Sequence, residues 1–369
     1  MPKVISIVSY QFLPAKFGGQ KAIAVFNKYL SRFVELRCIT TKNNSASGAE
    51  GYEIVSLFST SPFRYINPLN FFRIKKLISE WAATHVIIEH PYFGWLGLML
   101  KRFCNVKLII HSHNIEGNRW KELGKWWWRI LLWYEKFSHS RADYNFFIQP
   151  EDMHYAIREF GLDRNKCMVT TYGIEMEQAP NAEVRKSARE RICSRHAIVP
   201  TATILLFNGA FDYTPNRNAL DYLINKINPF LASQNKFSYT VLICGRNIPA
   251  EIMKNNFSNV IVAGLVDNID EYFHASDIFV NPITSGGGIK TKLVEALANN
   301  CNAVSTMNGA IGVDPAICNG KLLIVPNNDA GIFAEKIIEA SHIKADVGNE
   351  FFEHFFAGNI ARKAANFIN

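Results

Sequence analysis

Short continuous apolar runs alternate with stretches of helical period along nearly the whole chain. In the first half the runs are VISIVSY, ELRCITT, EIVSLF, HVIIEH, KLIIHSH and YNFFIQ. Helical patterns at Gln20–Phe33, Phe71–Ala83 and Gly117–Ser138 lie between several of them. In the second half TILLFNG, YTVLICG, NVIVAG, DIFVNPI, NAVSTM and KLLIVP repeat the arrangement. Unbroken apolar strands separated by helices predict parallel sheets buried on both faces. Two such series predict an α/β chain of two doubly wound, Rossmann-like domains.

The periodicity stops at TTYGIEMEQAPNAEV (Thr170–Val184), where polar residues and a proline take over. The expected boundaries are therefore 1–176 for the first domain and 177–345 for the second, with a helical tail over 346–369. That tail carries an aromatic stripe from Glu350 onward. It reads as an amphipathic helix that covers apolar surface of one domain or the other.

Composition narrows the class. The chain has 369 residues, 48% of them hydrophobic and 20% charged, which excludes disorder and suits two cores. Its formal charge of +8 favours anionic partners. The seven cysteines are scattered without CxxC spacing and read as reduced thiols of a cytoplasmic protein. The N-terminus reads as a buried strand, with no cleavage-like pattern after it. No apolar run approaches the ~20 residues a membrane span needs.

The richest stretch is NPITSGGGIKTKLVEALANN, Asn281–Asn300. With Gly288 onward taken as a helix, Ile289, Leu293, Ala296 and Leu297 share one face, extended by Val294 and Ala298. Gly288, Thr291, Lys292, Glu295 and Asn299 share the other. Gly286, Gly287 and Gly288 then sit at a strand's carboxyl end before a helix, where free N–H groups and the helix dipole attract an anion. Lys292 adds a cation one turn in, and Glu295 suits vicinal hydroxyls such as those of a ribose. P-loop spacing and GxGxxG are both absent.

NPITSGGGIKTKLVEALANNCNAVSTMNGAIGV resembles the C-terminal signature of the GT-B glycosyltransferases of the large retaining family 4. NGAFDYTPNRNALDYL, VLICGRNIP and VAGLVDNIDEYFHASDIFVNPI are similar to the family's earlier second-domain motifs, in the same order. The resemblance covers Thr201 to about Pro326 well and the first half loosely. It implies a GT-B fold with two domains facing a cleft and a metal-independent retaining glycosyltransferase.

The co-substrate would be a UDP- or GDP-type nucleotide sugar, with no other cofactor. The acceptor would be a glycan or a lipid-linked saccharide in cell-surface polysaccharide assembly. By the same resemblance Gly209, Arg246, Val266, Gly286, Gly287, Gly288, Lys292 and Glu295 bind the donor. Lys292 and Glu295, with His113, also count as the catalytic set. The family's paired glutamates are spaced E-x7-E, and Gly287 stands where the first belongs. The alternatives are a GT-B sugar-nucleotide epimerase and a silent nucleotide-sugar-binding scaffold.

Three further segments complete the reading. Gly18 and Gly19 stand between the first strand and a helix and repeat the anion logic. The resemblance makes them a donor-facing loop. IIHSHNIEGNRW sets His111, His113, Asn114 and Glu116 at a strand's carboxyl end, where ligands bind in such folds. HN-x-E resembles the N-domain cleft residues of the family, which makes His113 the leading polar candidate, bonding the donor sugar or the acceptor. The same resemblance assigns His111, Asn114 and Glu116 to the acceptor; Asn114 and Glu116 read alternatively as caps of the following helix. No third histidine or cysteine at ligand spacing points to a metal. NRWKELGKWWWRILLWYEKFSHSR packs five tryptophans among basic residues. It reads either as a core helix or as a peripheral contact with the anionic inner face of the plasma membrane. No nucleic-acid motif accompanies its charges.

Overall fold

The computed structural model describes residues 1–15, 18–234, 237–254 and 257–369. These form two compact units, Met1–Glu175 with His354–Asn369, and Met176–Glu353.

The first unit is built on seven strands: β1 (Lys3–Val8), β2 (Glu35–Thr41), β3 (Glu53–Phe58), β4 (His85–Glu89), β5 (Lys107–Ser112), β6 (Tyr144–Phe147) and β7 (Cys167–Val169). All neighbours are parallel, in the order β3-β2-β1-β4-β5-β6-β7. β4 is buried throughout and β5 everywhere but Lys107, as two-faced covering of a parallel sheet demands. Six strands match the apolar runs. β7 was not expected, because its three residues are too short to carry a pattern.

Five helices of this unit matter for the site: α1 (Gly18–Leu30), α2 (Leu69–Trp81), α3 (Gly94–Cys104), α4 (Glu116–Glu122) and α5 (Trp128–His139). The helix expected over Gly117–Ser138 is thus two, parted by a turn around Gly124. The C-terminal helix Ala357–Ile368 returns to this unit. It buries Ala357, Ile360, Ala361, Ala364, Ala365 and Ile368 in a cluster with Phe26, Tyr29 and Leu30 of α1. Each isoleucine in that stripe contributes roughly 2–3 kcal/mol by burial. The backbone joins in: the Ile174 amide donates to the Phe355 carbonyl, and Ala357 to Ile174, both at 2.8 Å.

The second unit has six parallel strands: β8 (Thr203–Ala210), β9 (Tyr239–Arg246), β10 (Val260–Gly264), β11 (Ile278–Asn281), β12 (Asn302–Thr306) and β13 (Leu322–Val325). Their order is β10-β9-β8-β11-β12-β13. The direction in which successive strands are added therefore reverses between β8 and β11 here, and between β1 and β4 in the first unit. Open α/β sheets bind ligands at the carboxyl ends of the strands flanking such a reversal.

A cavity of about 510 Å³, lined by Arg185, Lys186, Arg189 and His274, lies instead at the amino ends of β8, β11 and β12. Its arginines are engaged: Arg185 donates to the carbonyls of His274, Ser276 and Asn300, and Arg189 pairs with Asp277. They anchor the helix Ala182–His196 to the sheet.

Candidate functional site

In the second unit the glycine turn follows β11 on the reversal side of the sheet. Gly286 and Gly288 have φ of +87° and +75°, a left-handed backbone that glycine adopts without strain. A Cβ on Gly286 would stand 2.8 Å from the Tyr213 hydroxyl. These angles delay the helix, which runs Thr291–Ala298 instead of starting at Gly288. Lys290 folds back and donates from Nζ to the carbonyls of Gly286 (2.9 Å) and Gly288 (2.7 Å), which fastens the turn. Thr306 donates to the Ile283 carbonyl, and Asn281 donates to Ser305 Oγ and to the Gly309 carbonyl, both at 2.9 Å. The loop after β12 thus buttresses the turn.

Within the helix Leu293, Val294, Ala296, Leu297 and Ala298 are buried, while Thr291, Lys292 and Glu295 are half-buried. The two-faced reading holds, except that Asn299 is buried and caps the Glu295 carbonyl from Nδ2 at 2.8 Å. Gly209 lies near the end of β8, across the reversal from the turn. Arg246 ends β9 and pairs with Asp212 at 2.9 Å. Val266 follows the edge strand β10, half-buried and two strands from the reversal. Gly287 is exposed. The arrangement offers backbone N–H groups and a helix N-terminus to an anion.

In the first unit the carboxyl ends of β4 and β5 carry a buried charge network. Glu89, fully buried, lies 2.8 Å from Nε2 of His113 and 3.1 Å from Nδ1 of His111. Nε2 of His111 meets Thr170 Oγ1 at 3.0 Å. The His90 ring stacks on His113 with centroids 4.3 Å apart. Its Nε2 lies 3.2 Å from the Tyr10 hydroxyl and its Nδ1 3.3 Å from Glu116. His90 has φ +64° and ψ +150°, a region almost restricted to glycine and costing on the order of 1–3 kcal/mol for other residues.

Glu116 is fully buried; Tyr92 donates to it at 2.7 Å and Arg119 at 3.3 Å. Burial alone would lift its carboxyl, but His90, Arg119 and Tyr92 bring it down to about 2. Burial would likewise lift Glu89, yet the two imidazoles hold it well below the usual carboxylate range. Burial, then the neighbouring His90, pushes His113 down to about 4, so its ring is neutral at pH 7. Glu135 of α5 accepts the amides of Glu116 and Gly117 at 3.0 Å each and so starts α4. Burial pushes its carboxyl up to about 8.

His111, His113 and Glu116 are thus brought together, with Asn114 half-buried in the same loop. Gly18 and Gly19 open α1 beside the same reversal. Sequence reasoning missed Glu89, His90, Tyr10 and Glu135. The first two end HVIIEH, where a polar pair closing an apolar strand was the same signal used for KLIIHSH. Ligand atoms of Glu89, His111 and His113 lie within 4.8 Å of one another, a spacing compatible with a cation. The histidine pair gains its third member from a different strand, which spacing along the chain does not reveal. In the tryptophan-rich segment Trp126 is 82% exposed, with Ile130 and Trp133 also outward. No helix among the described residues is long and apolar enough to cross a membrane.

Known proteins resemble this chain in sequence and in fold. Residues 18–178 match the model described as Glycosyltransferase Family 4, and residues 202–342 the one described as Glycosyl transferases group 1. A chitobiosyldiphosphodolichol beta-mannosyltransferase of Debaryomyces hansenii is 24% identical over 66% of this chain, which spans 57% of that protein. Sucrose-phosphate synthase of Thermosynechococcus elongatus has the same fold, with TM-score 0.73, 16% identity and coverage of 99% and 98% of the two chains. Anabaena HepE in complex with UDP does so too, with TM-score 0.72, 12% identity and coverage of 99% of each chain. With a GT-B fold and a family match in each half, the chain belongs with the group 1, family 4-like glycosyltransferases.

Proposed function

We propose that this protein moves a sugar from a UDP- or GDP-type nucleotide sugar to a glycan or lipid-linked saccharide, with retention and without a metal, in cell-surface polysaccharide assembly. The observation that carries this reading is the Gly286–Gly288 turn beside the β8/β11 reversal, with Lys292 and Glu295 in the helix that follows. Support also comes from the activity of the mannosyltransferase relative and from the UDP of the HepE complex. Lys292 and the turn amides stabilise the departing diphosphate, the largest electrostatic demand of such a transfer. Glu295 accepts from the ribose hydroxyls. The amides around Gly287 orient the sugar where the family has a glutamate.

A second, compatible reading is peripheral attachment to an anionic bilayer. Exposed Trp126, Ile130 and Trp133 lie beside Lys121, Lys125 and Arg129, a pairing that suits the interface.

The direct test is incubation with a panel of nucleotide sugars with and without saccharide acceptors. Acceptor-dependent release of UDP or GDP, with the donor's anomeric configuration kept in the product, supports the proposal. Donor isomerisation without acceptor would make the protein an epimerase. Donor binding without any turnover would make it a scaffold.

A further inference from the structure

Among the buried carboxylates of the first unit, Glu89 is the one that bridges two histidines. It ends β4 with no exposed surface, between His111 and His113 of the neighbouring β5 segment. Its Oε2 lies 2.8 Å from Nε2 of His113, and its Oε1 3.1 Å from Nδ1 of His111. An ionised carboxylate only accepts, so both of those nitrogens carry protons. A neutral imidazole has one donor and one acceptor nitrogen, so Nδ1 of His113 keeps its lone pair. Among the described residues that atom has no hydrogen-bond partner. The stacked His90 ring, 4.3 Å away and itself paired with Glu116, holds the His113 plane.

We propose that Glu89 is a positioning residue. It holds His113 as the Nε2–H tautomer, so that Nδ1 accepts a hydrogen bond from a saccharide hydroxyl. The role rests on the glycosyl-transfer reading for its ligand and on this geometry alone for the tautomer. The hydroxyl belongs to the donor sugar or to the acceptor; which KM rises in a His113→Gln variant tells the two apart. Replacing Glu89 by glutamine puts an amide N–H₂ toward one of the two histidines. That histidine must then move its proton to the other nitrogen.

The test is a long-range ¹H–¹⁵N spectrum of the labelled full chain at neutral pH, with His113 assigned by its loss in His113→Gln. The expected result is a neutral ring protonated at Nε2. A ring protonated at Nδ1, an imidazolium, or a stoichiometric metal on the ring would each overturn the proposal. Glu89→Gln is expected to lower kcat roughly 10- to 100-fold, with UDP or GDP affinity within about twofold of wild type, because the proposed nucleotide groups lie in the other unit. Rescue by Glu89→Asp in part is also expected. A Glu89→Gln enzyme whose His113 is protonated at Nδ1 and whose kcat is unchanged would overturn the role. Should that variant fail to fold, the wild-type spectrum still decides. If wild type turns over no donor, the transfer reading fails while the tautomer is judged on the spectrum.

Discussion

The two units share a strand order around their reversal points and fill that point in opposite ways. In the second unit the polar equipment is mostly backbone: a glycine turn, carbonyls fastened by Lys290, and the start of a helix bearing Lys292 and Glu295. In the first unit it is side chain: Glu89, Glu116 and three histidines buried among the strand ends. Backbone amides suit a multiply charged anion, which needs many fixed donors. Buried imidazoles orient a single hydrogen bond, with their own partners already in place. On the proposed function, the second unit supplies the anion cradle and the first a directional contact.

The sharpest way to break this contrast is to strip the cradle of its side chains. Lys292→Ala with Glu295→Ala is expected to weaken nucleoside-diphosphate binding by about 4 kcal/mol, roughly a thousandfold, from two charge-assisted contacts. Calorimetric titration with UDP and GDP reads it. A loss of tenfold or less would mean that the backbone alone holds the nucleotide.

A second prediction sharpens the claim that the first unit keeps neutral imidazoles buried. Burial lowers His139 from 6.5 to about 4, against its bond to Asn145, and His113 likewise. Between those values the unfolded chain takes protons that the folded one refuses. The stability is therefore complete above pH 6.5 and lost as pH falls toward 4, by up to about 3 kcal/mol for each ring. Urea unfolding from pH 7 to pH 4 should show this slope, and His139→Gln should reduce it. An equal slope in the variant would refute the assignment.

Smaller still is the effect expected of Glu135→Gln. One of the two amides that begin α4 would lose its acceptor, at about 1–3 kcal/mol of stability. Nucleotide affinity in the other unit should not change, and thermal unfolding beside titration checks both.

Much of this was legible because its signals are local. Alternating apolar runs located twelve strands, and the glycine triplet after DIFVNPI marked the turn that precedes the helix bearing Lys292 and Glu295. What escaped depended on neighbours distant along the chain. Glu89 meets His111 and His113 only because β4 pairs with β5. Glu116, read as an acceptor contact, is sealed behind His90, Tyr92 and Arg119, and no local pattern announces burial of a charged residue. Gly288 was placed inside a helix because periodicity ignores φ; its left-handed backbone moves the start to Thr291.

The most direct test of the contrast is amide hydrogen exchange with and without UDP or GDP. The account predicts slowed exchange at residues 283–295 and in the loop after β8, with residues 89–116 unchanged by the nucleotide alone. Protection confined to residues 89–116 would contradict it.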